Sequence, residues 1–211
     1  MYIAIEGVIG VGKTTLARLL QPAFDAEVLL EIFEENPFLS DFYGDRDRYA
    51  FQTQMFFLLS RYHQQRRSVP ELLAANENLL SDYTFAKDSL FARINLEGDE
   101  LEMYGRVHEA LAEKIRHPDL LVFLRAENKT LMERIEMRDR PYERDMDSGY
   151  IADLGRTYAE FFSRPYNNTP VLTIDTDDLD FVRTPEDLEF IKNRIEEALK
   201  ATPLQPELLD N

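Results

Sequence analysis

Residues 7–14, GVIGVGKT, combine residue types that can hold the phosphates of a nucleotide. They fit the pattern G-x-x-x-x-G-K-[ST], with Gly7, Gly12, Lys13 and Thr14 at its fixed positions. Glycines let backbone N–H groups approach phosphate oxygens, and the start of a following helix adds partial positive charge. The lysine reaches the β- and γ-phosphates, and the threonine hydroxyl can ligate Mg²⁺. The segment therefore predicts a site for a nucleoside triphosphate and magnesium.

The sequence on either side of this loop supports the interpretation. YIAIE before it is typical of a strand, and TTLARLL after it is typical of a helix start. A glycine turn that holds a lysine by chance is the weaker alternative, because it would not explain the strand–loop–helix order. The residues predicted to contact the triphosphate are Gly7, Val8, Ile9, Gly10, Val11, Gly12, Lys13, Thr14 and Thr15.

A phosphate-binding loop alone does not define a reaction, since GTPases also have one. Their guanine-reading pattern N-K-x-D is not met at residues 128–131, where NKTL lacks the aspartate, so a switch GTPase is disfavoured. Transfer of phosphate to a small acceptor needs a base for the acceptor hydroxyl, a carboxylate near Mg²⁺ and a cationic lid.

Two carboxylates stand where such parts would be needed. Glu31 follows a predicted strand at 28–30, and Asp82 follows another at 79–80. Ligands of open parallel sheets gather at the carboxyl ends of the strands, so both side chains should face the phosphate loop. One would accept the hydroxyl proton and the other would hold Mg²⁺ or its waters. Ordinary acidic loop residues are the alternative, in a chain with 40 Asp and Glu.

Gln54 and Arg61 are candidates for reading a base. They are seven residues apart in a predicted helix over 49–67, so two helical turns place them on one face. An amide and a guanidinium suit the donors and acceptors of a purine, although placement on the surface is the alternative.

Four arginines run against the acidic trend of the chain. Arg134, Arg138, Arg140 and Arg144 place four guanidiniums within eleven residues. They predict either a clamp on phosphates or a solvated basic helix end.

These candidates need a framework, and apolar patterning predicts one. Short apolar runs predict buried strands at 2–5, 28–30, 79–80, 120–124 and 171–174. Amphipathic stretches predict helices at 14–24, 49–67, 100–116, 129–138, 150–162 and 185–199. Strands separated by helices imply an α/β fold with a five-stranded parallel sheet covered on both faces. We expect one domain over 1–201 and a loose tail over 202–211.

Composition limits the partners. The net charge of −16 argues against a nucleic-acid polymer or an anionic membrane, because both select basic surfaces. The chain has no cysteine, which excludes disulfides and agrees with a reducing compartment. No apolar run approaches the roughly 18–20 residues that cross a bilayer, and no signal peptide is evident. We expect a cytoplasmic protein.

From residue 1 to about residue 199 the sequence resembles the deoxynucleoside kinase family, specifically the bacterial deoxyadenosine and deoxyguanosine kinases. The resemblance rests on the phosphate loop, DFYGDRDRY, SDYTFAKD and RDRPYERD in this order. It implies a P-loop kinase fold, usually a homodimer, that uses ATP to phosphorylate the 5′-hydroxyl of a deoxynucleoside.

The resemblance also implies roles for single residues. Glu31 matches the favoured base, and Asp82 matches the carboxylate beside Mg²⁺ that is sometimes named as the proton acceptor. Tyr43 matches a tyrosine that holds the sugar 3′-hydroxyl. Gln54 and Arg61 match residues that read the base.

Further matches lie later in the chain. Asp88 matches an aspartate near the base, and Glu143 matches a second contact to the 3′-hydroxyl. Arg138 and Arg140 match arginines of a lid, at about 138–148, that closes on ATP. We expect their guanidiniums to remain in solvent until ATP binds.

Two departures from the family pattern stand out. Tyr83 occupies the position of the arginine in D-R-S, so one cation beside the reacting phosphate is missing; some deoxyguanosine kinases share this tyrosine. Ala92 occupies the position of a base-stacking phenylalanine, with Phe91 just before it. Either Phe91 turns into the site or the pocket is widened, which would favour a purine.

Two other functions remain as alternatives. A thymidylate kinase or another monophosphate kinase would need a cation for the acceptor phosphate, and Tyr83 speaks against one. A non-catalytic ATP-binding regulator would need no acceptor pocket. Within the deoxynucleoside kinases, the interpretation leans slightly towards deoxyguanosine over deoxyadenosine, with deoxycytidine as a further substrate.

Overall fold

The computed structural model describes residues 1–32, 35–164 and 166–201, and it contains the expected parallel sheet. Five strands lie in the order β2-β3-β1-β4-β5, and every pairing between neighbours is parallel. The strands are β1 Tyr2–Glu6, β2 Glu27–Leu29, β3 Leu79–Ser81, β4 Leu120–Arg125 and β5 Val171–Asp175. The α/β prediction is confirmed, whereas the predicted tail at 202–211 lies outside the described residues.

Helices flank the sheet. They are α1 Lys13–Phe24, α2 Leu39–Gly44, α3 Arg46–Ala75, α4 Ala86–Asn95, α5 Gly98–Ala112, α6 Asn128–Arg138, α7 Ser148–Phe162 and α8 Pro185–Ala201. A 3₁₀ turn at Pro141–Glu143 separates α6 from α7. In the part of the chain that the structure describes, no helix is long and apolar enough to span a membrane.

Helix α3 departs most from its predicted bounds of 49–67. It begins at Arg46, because the Asp45 side chain accepts a hydrogen bond from the backbone N–H of Arg48 at 3.3 Å. It continues past Pro70 to Ala75, since Val69 packs into the core against β3. Helices α2 and α4 and the 3₁₀ turn were not predicted.

The core lies on both faces of the central strand. All five residues of β1 are buried. Ile3 and Ile5 pack into the larger apolar cluster, and Tyr2 and Ala4 into a smaller one on the opposite face, as the two-residue period of a strand requires. Burial on both faces explains why β1 is apolar from Tyr2 to Ile5.

Sheet order determines what the phosphate loop can reach. Strand β1 leads into this loop, its neighbour β3 leads into Asp82, and β2 beyond it leads into Glu31. Because parallel strands have their carboxyl ends at one edge, all three segments meet there.

Gly10 is a position where the loop cannot carry a side chain. Its φ of +87° favours glycine, and a Cβ atom would lie 2.8 Å from Ile135 Cγ1 and 2.9 Å from the Leu131 carbonyl oxygen. The loop is thus packed directly against α6.

We predict that Gly10→Ala lowers the free energy of unfolding by roughly 1–3 kcal/mol, through backbone strain and overlap with α6. Gly105→Ala is the matched control, because Gly105 lies within α5 and an added Cβ meets nothing within 4 Å. The control should gain roughly 0.5–1 kcal/mol. Urea denaturation followed by circular dichroism measures both, and equal midpoints for the two variants would contradict the packing of this loop.

Candidate active site

A cavity of about 250 Å³ lies between the phosphate loop, α3 and the segment after α6. It brings together most of the residues singled out in the sequence. Those that line it are Ile9, Gly10, Gly12, Lys13, Thr14, Thr15, Glu31, Tyr43, Gln54, Arg61, Asp82, Phe91, Arg138, Arg140 and Glu143. Gly7, Val8, Val11, Tyr83 and Asp88 do not line it.

The phosphate loop folds around its own lysine. Lys13 Nζ donates to the carbonyl oxygens of Gly7 at 2.7 Å and Val8 at 3.0 Å. Burial, followed by the positive charge of Lys87, lowers the pKa of Lys13 to about 8. The side chains of Val8 and Val11 turn into the core, so these two residues can face a phosphate only with their backbone.

Thr14 and Asp82 form a pair of oxygen ligands. Thr14 Oγ1 donates to Asp82 Oδ2 at 2.5 Å, and the second carboxylate oxygen accepts from the backbone N–H of Glu31 at 2.8 Å. A hydroxyl and a carboxylate are the hard donors that Mg²⁺ prefers, and Mg²⁺ usually takes only one or two protein ligands beside phosphates and waters. Among the described residues, no cluster of three or more His, Cys, Asp or Glu could hold a metal ion. The pair therefore fits magnesium bound together with phosphate.

Glu31 is held between two cations. Its Oε1 accepts from Arg61 through Nε at 2.9 Å and also through Nη2, while its Oε2 accepts from Lys87 Nζ at 2.5 Å. Burial raises the pKa of Glu31, but Arg61 and Lys87 lower it more, so the pKa lies well below its usual range. Glu31 is thus a carboxylate at neutral pH.

Arg61 connects Glu31 to Asp88. Its Nη1 donates to Asp88 Oδ1, and Asp88 is fully buried, where burial raises the pKa of its carboxyl group. Asp88 stands behind Arg61 and outside the cavity lining. The contact that the structure shows is with the Arg61 guanidinium, and the place of Asp88 near a base stays a prediction.

Gln54 and Arg61 face the cavity from α3, which rules out placement on the surface. Both are buried, and the guanidinium of Arg61 packs over the Phe57 ring at 4.4 Å from its centroid. Gln54 Oε1 has no hydrogen-bond partner among the described residues. A buried acceptor of this kind is costly unless a ligand donates to it.

The segment after α6 closes one side of the cavity. Glu143 Oε2 accepts from Arg138 Nε at 3.0 Å and Nη2 at 2.6 Å, and Arg140 Nη1 lies 3.6 Å from Glu143 Oε1. Tyr142 stacks on Tyr43, with ring centroids 6.1 Å apart. The expectation of solvated guanidiniums is corrected, because both arginines turn inward to a shared carboxylate.

Tyr83 lies away from the cavity, although its place in the sequence matches an arginine beside the reacting phosphate. It is fully buried in the smaller apolar cluster, and its hydroxyl donates to Gln64 Oε1 at 2.5 Å. Phe91 lines the cavity, whereas the side chain of its neighbour Ala92 is buried elsewhere in the core. Of the two possibilities, Phe91 therefore turns in.

The four arginines of 134–144 do not act as one cluster. Arg134 donates to the carbonyl oxygens of Val11 at 3.3 Å and Thr176 at 2.6 Å. Arg144 pairs with Asp139 on the surface.

Arg134 lines a second cavity of about 700 Å³ on the other side of the phosphate loop, together with residues 177–183.

Three features of this region were not predicted from the sequence. Lys87 contacts Glu31, residues 177–183 line the second cavity, and Glu6 ties β1 to the loop after β3. Glu6 Oε1 accepts from the backbone N–H of Thr84 at 2.7 Å and from its hydroxyl at 2.8 Å. A charged residue at the end of an apolar strand was the available signal for Glu6. Lys87 had none beyond its place in SDYTFAKD.

We predict that Arg61→Met lowers the free energy of unfolding by about 3–5 kcal/mol, because it leaves Asp88 buried without its cation. The loss should grow as pH rises, because removal of Arg61 raises the pKa of Asp88 further and the buried carboxyl then resists ionisation in the folded state. Urea midpoints at pH 5.5 and pH 8 measure this trend.

Arg67→Met is the matched control, because Arg67 lies on the same helix and its side chain is 81% exposed. It should change stability by no more than about 0.5 kcal/mol. An Arg61→Met loss of that size, or a loss that shrinks with rising pH, would refute the buried network.

Comparisons with known proteins agree with this geometry. A family model described as deoxynucleoside kinase matches residues 3–200. A deoxyguanosine kinase of Bacillus subtilis is 35% identical, over 94% of this chain and 97% of the relative. A deoxyadenosine kinase of Dictyostelium discoideum is 31% identical, over 100% of this chain and 85% of the relative.

A solved structure is also similar. It is the deoxyadenosine kinase from M. mycoides with the products dCMP and a flexible dCDP bound. Its TM-score is 0.81 at 26% sequence identity, and the match covers 93% of this chain and 100% of that one. With the family model, the relatives and the fold in agreement, the chain belongs to the deoxynucleoside kinase family.

Proposed function

We propose that this enzyme transfers the γ-phosphate of ATP to the 5′-hydroxyl of a purine 2′-deoxynucleoside. One observation carries the proposal: the ionised carboxylate of Glu31 shares a cavity with Lys13 and the Thr14–Asp82 pair. A base for an acceptor hydroxyl thus lies beside the groups that bind a triphosphate.

The transfer assigns a task to each of these groups. Glu31 accepts the proton of the 5′-hydroxyl as the bond from that oxygen to the γ-phosphorus forms and the bond to the β–γ bridging oxygen breaks. Lys13 leaves the carbonyl oxygens of the loop for phosphate oxygens. Thr14 and Asp82 are the residues that would hold Mg²⁺, and the ion would supply positive charge at the phosphates.

The base-binding end of the cavity favours a purine. Gln54 Oε1 is a buried acceptor that needs a donor, and Arg61 uses three of its five N–H donors in the described contacts. Guanine offers two kinds of N–H donor, which match the acceptor Gln54 Oε1. It also offers a carbonyl acceptor, which matches the remaining N–H donors of Arg61. Similarity to a deoxyguanosine kinase also supports deoxyguanosine as the first choice, with deoxyadenosine second and deoxycytidine as a further substrate.

The sugar-binding end supports a deoxyribose. Tyr43 and Glu143 line the cavity and would hold the 3′-hydroxyl, as the family resemblance implies. A ring packed against the sugar leaves little space for a 2′-hydroxyl, and a hydroxyl left without a partner costs on the order of 1–3 kcal/mol.

We extend the proposal to the surroundings of the site. Residues 138–148 act as a lid, in which Arg138 and Arg140 contact ATP. The donor's adenine occupies the second cavity, beside Arg134 and residues 177–183. The family resemblance supports a homodimer, and use of ATP supports a cytoplasmic location.

We predict that ATP binding takes up protons when the pH is above about 8. The pKa of Lys13 is about 8, and phosphate charge should raise it on binding, so neutral Lys13 must gain a proton as ATP binds. Affinity for ATP therefore falls as pH rises past about 8. Calorimetric titration at pH 7 and pH 8.5, each in buffers of different ionisation enthalpy, counts the protons.

Lys13→Arg is the control, because arginine stays charged throughout this range. Its proton uptake at pH 8.5 should be close to zero. Equal uptake in the parent enzyme and in this variant would assign the titration to another group.

The acceptor is tested by competition among the four deoxynucleosides and the matching ribonucleosides at subsaturating concentrations. Deoxyguanosine should be phosphorylated best and deoxyadenosine next. The kcat/KM of ribonucleosides should be ten- to a hundredfold lower, as expected from a cost of about 1–3 kcal/mol for a 2′-hydroxyl without a partner. Thymidine as the best acceptor, or adenosine equal to deoxyadenosine, would refute this account of the cavity. Gln54→Leu should reduce the purine preference.

A further inference from the structure

Lys87 is a charged residue of the cavity that the reaction described above does not use. It stands in the first turn of α4 with its side chain 9% exposed, and it lines the cavity together with Lys13, Glu31 and Asp82. Its ammonium donates to Glu31 Oε2 at 2.5 Å and lies 5.6 Å from the centroid of the Phe91 ring.

Holding Glu31 in place does not by itself require Lys87. Arg61 already binds Oε1 through two nitrogens, and it provides a positive charge that keeps the carboxylate ionised. Lys87 is the hydrogen-bond donor to Oε2 among the described contacts. This oxygen is the one left to receive an acceptor proton, so Lys87 occupies the position that a 5′-hydroxyl must take.

A second observation concerns Lys13. Lys13 and Lys87 line the same cavity of about 250 Å³, so two positive charges face one small space. Like charges converging in a cavity of low dielectric repel each other, and an anion placed between them relieves the repulsion. The group that passes between the loop lysine and Glu31 during transfer is the γ-phosphoryl group.

We propose that Lys87 is a catalytic residue whose ammonium leaves Glu31 Oε2 for the transferred phosphoryl group as the acceptor hydroxyl binds to that oxygen. The inference rests on the proposed function. Lys87 keeps its proton throughout, and it supplies positive charge to the equatorial phosphoryl oxygens. The 5′-hydroxyl proton goes to Glu31, and the electron pair of the broken bond goes to ADP.

The test compares Lys87→Met and Lys87→Gln with the parent enzyme, using ATP and deoxyguanosine or the best acceptor found. Removing a charge directed at the transferred group should lower kcat by about 10²–10³-fold, whereas the Kd of ATP should change by less than about threefold. Lys87→Arg should restore part of kcat, because it restores the charge with different geometry. Two neutral variants are made because the test needs only one of them to fold.

The pH profile separates this role from that of a cation that only keeps Glu31 ionised. Loss of Lys87 removes a cation from Glu31 and raises its pKa, so the acid limb of kcat/KM should move to higher pH. The loss in kcat should persist at pH 8.5, where Glu31 is ionised in every variant. Full recovery of kcat at pH 8.5 would show that Lys87 acts only through Glu31, and would overturn the inference.

Arg93→Met is the matched control. Arg93 is an exposed cation on the same helix, outside this cavity, and its loss should leave kcat and the pH profile unchanged. If the parent enzyme is active and the Lys87 variants are equally active, only the inference is overturned. A parent that phosphorylates no deoxynucleoside overturns the proposed function and the inference with it.

Discussion

The site depends on four charges buried together. The ammonium and guanidinium groups of Lys87 and Arg61 are paired there with the carboxyl groups of Glu31 and Asp88. Each charge is costly to transfer out of water, and in the protein interior none of them is stable without its partners. Because these charges come from α3, α4 and the segment after β2, satisfying them fixes the positions of all three around the cavity. The same contacts keep Glu31 ionised and its Oε1 occupied.

The sheet supplies the second half of the site. The strand order brings the phosphate loop beside Asp82, and the buried carboxylate of Glu6 joins the two through Thr84. In the proposed reaction, a triphosphate held at the end of β1 and a hydroxyl held at the end of β2 would therefore meet across β3. The geometry follows from parallel pairing, since the two binding segments occupy the same edge.

Much of this was predictable from the sequence, and the limits have physical causes. Each of the five strands contains a short apolar run, and the seven-residue spacing of Gln54 and Arg61 follows helical periodicity, so the local pattern was sufficient. Helix α2 has only six residues, too few for a periodic pattern, and α4 buries Lys87 and Asp88, which break its apolar face. The positions of Lys87, Glu6 and Tyr83 depend on partners far along the chain. No local pattern records such contacts.

The position of Glu143 affects how the two proposed ligands, ATP and a deoxynucleoside, influence each other's binding. Its carboxylate binds Arg138 and Arg140, and it also lines the sugar end of the cavity. A deoxynucleoside that engages this carboxylate competes with the arginines and changes their availability to ATP. By thermodynamic reciprocity, ATP must then change the affinity for the deoxynucleoside by the same factor. Under the proposed function, a single shared carboxylate would therefore couple the donor and acceptor sites energetically.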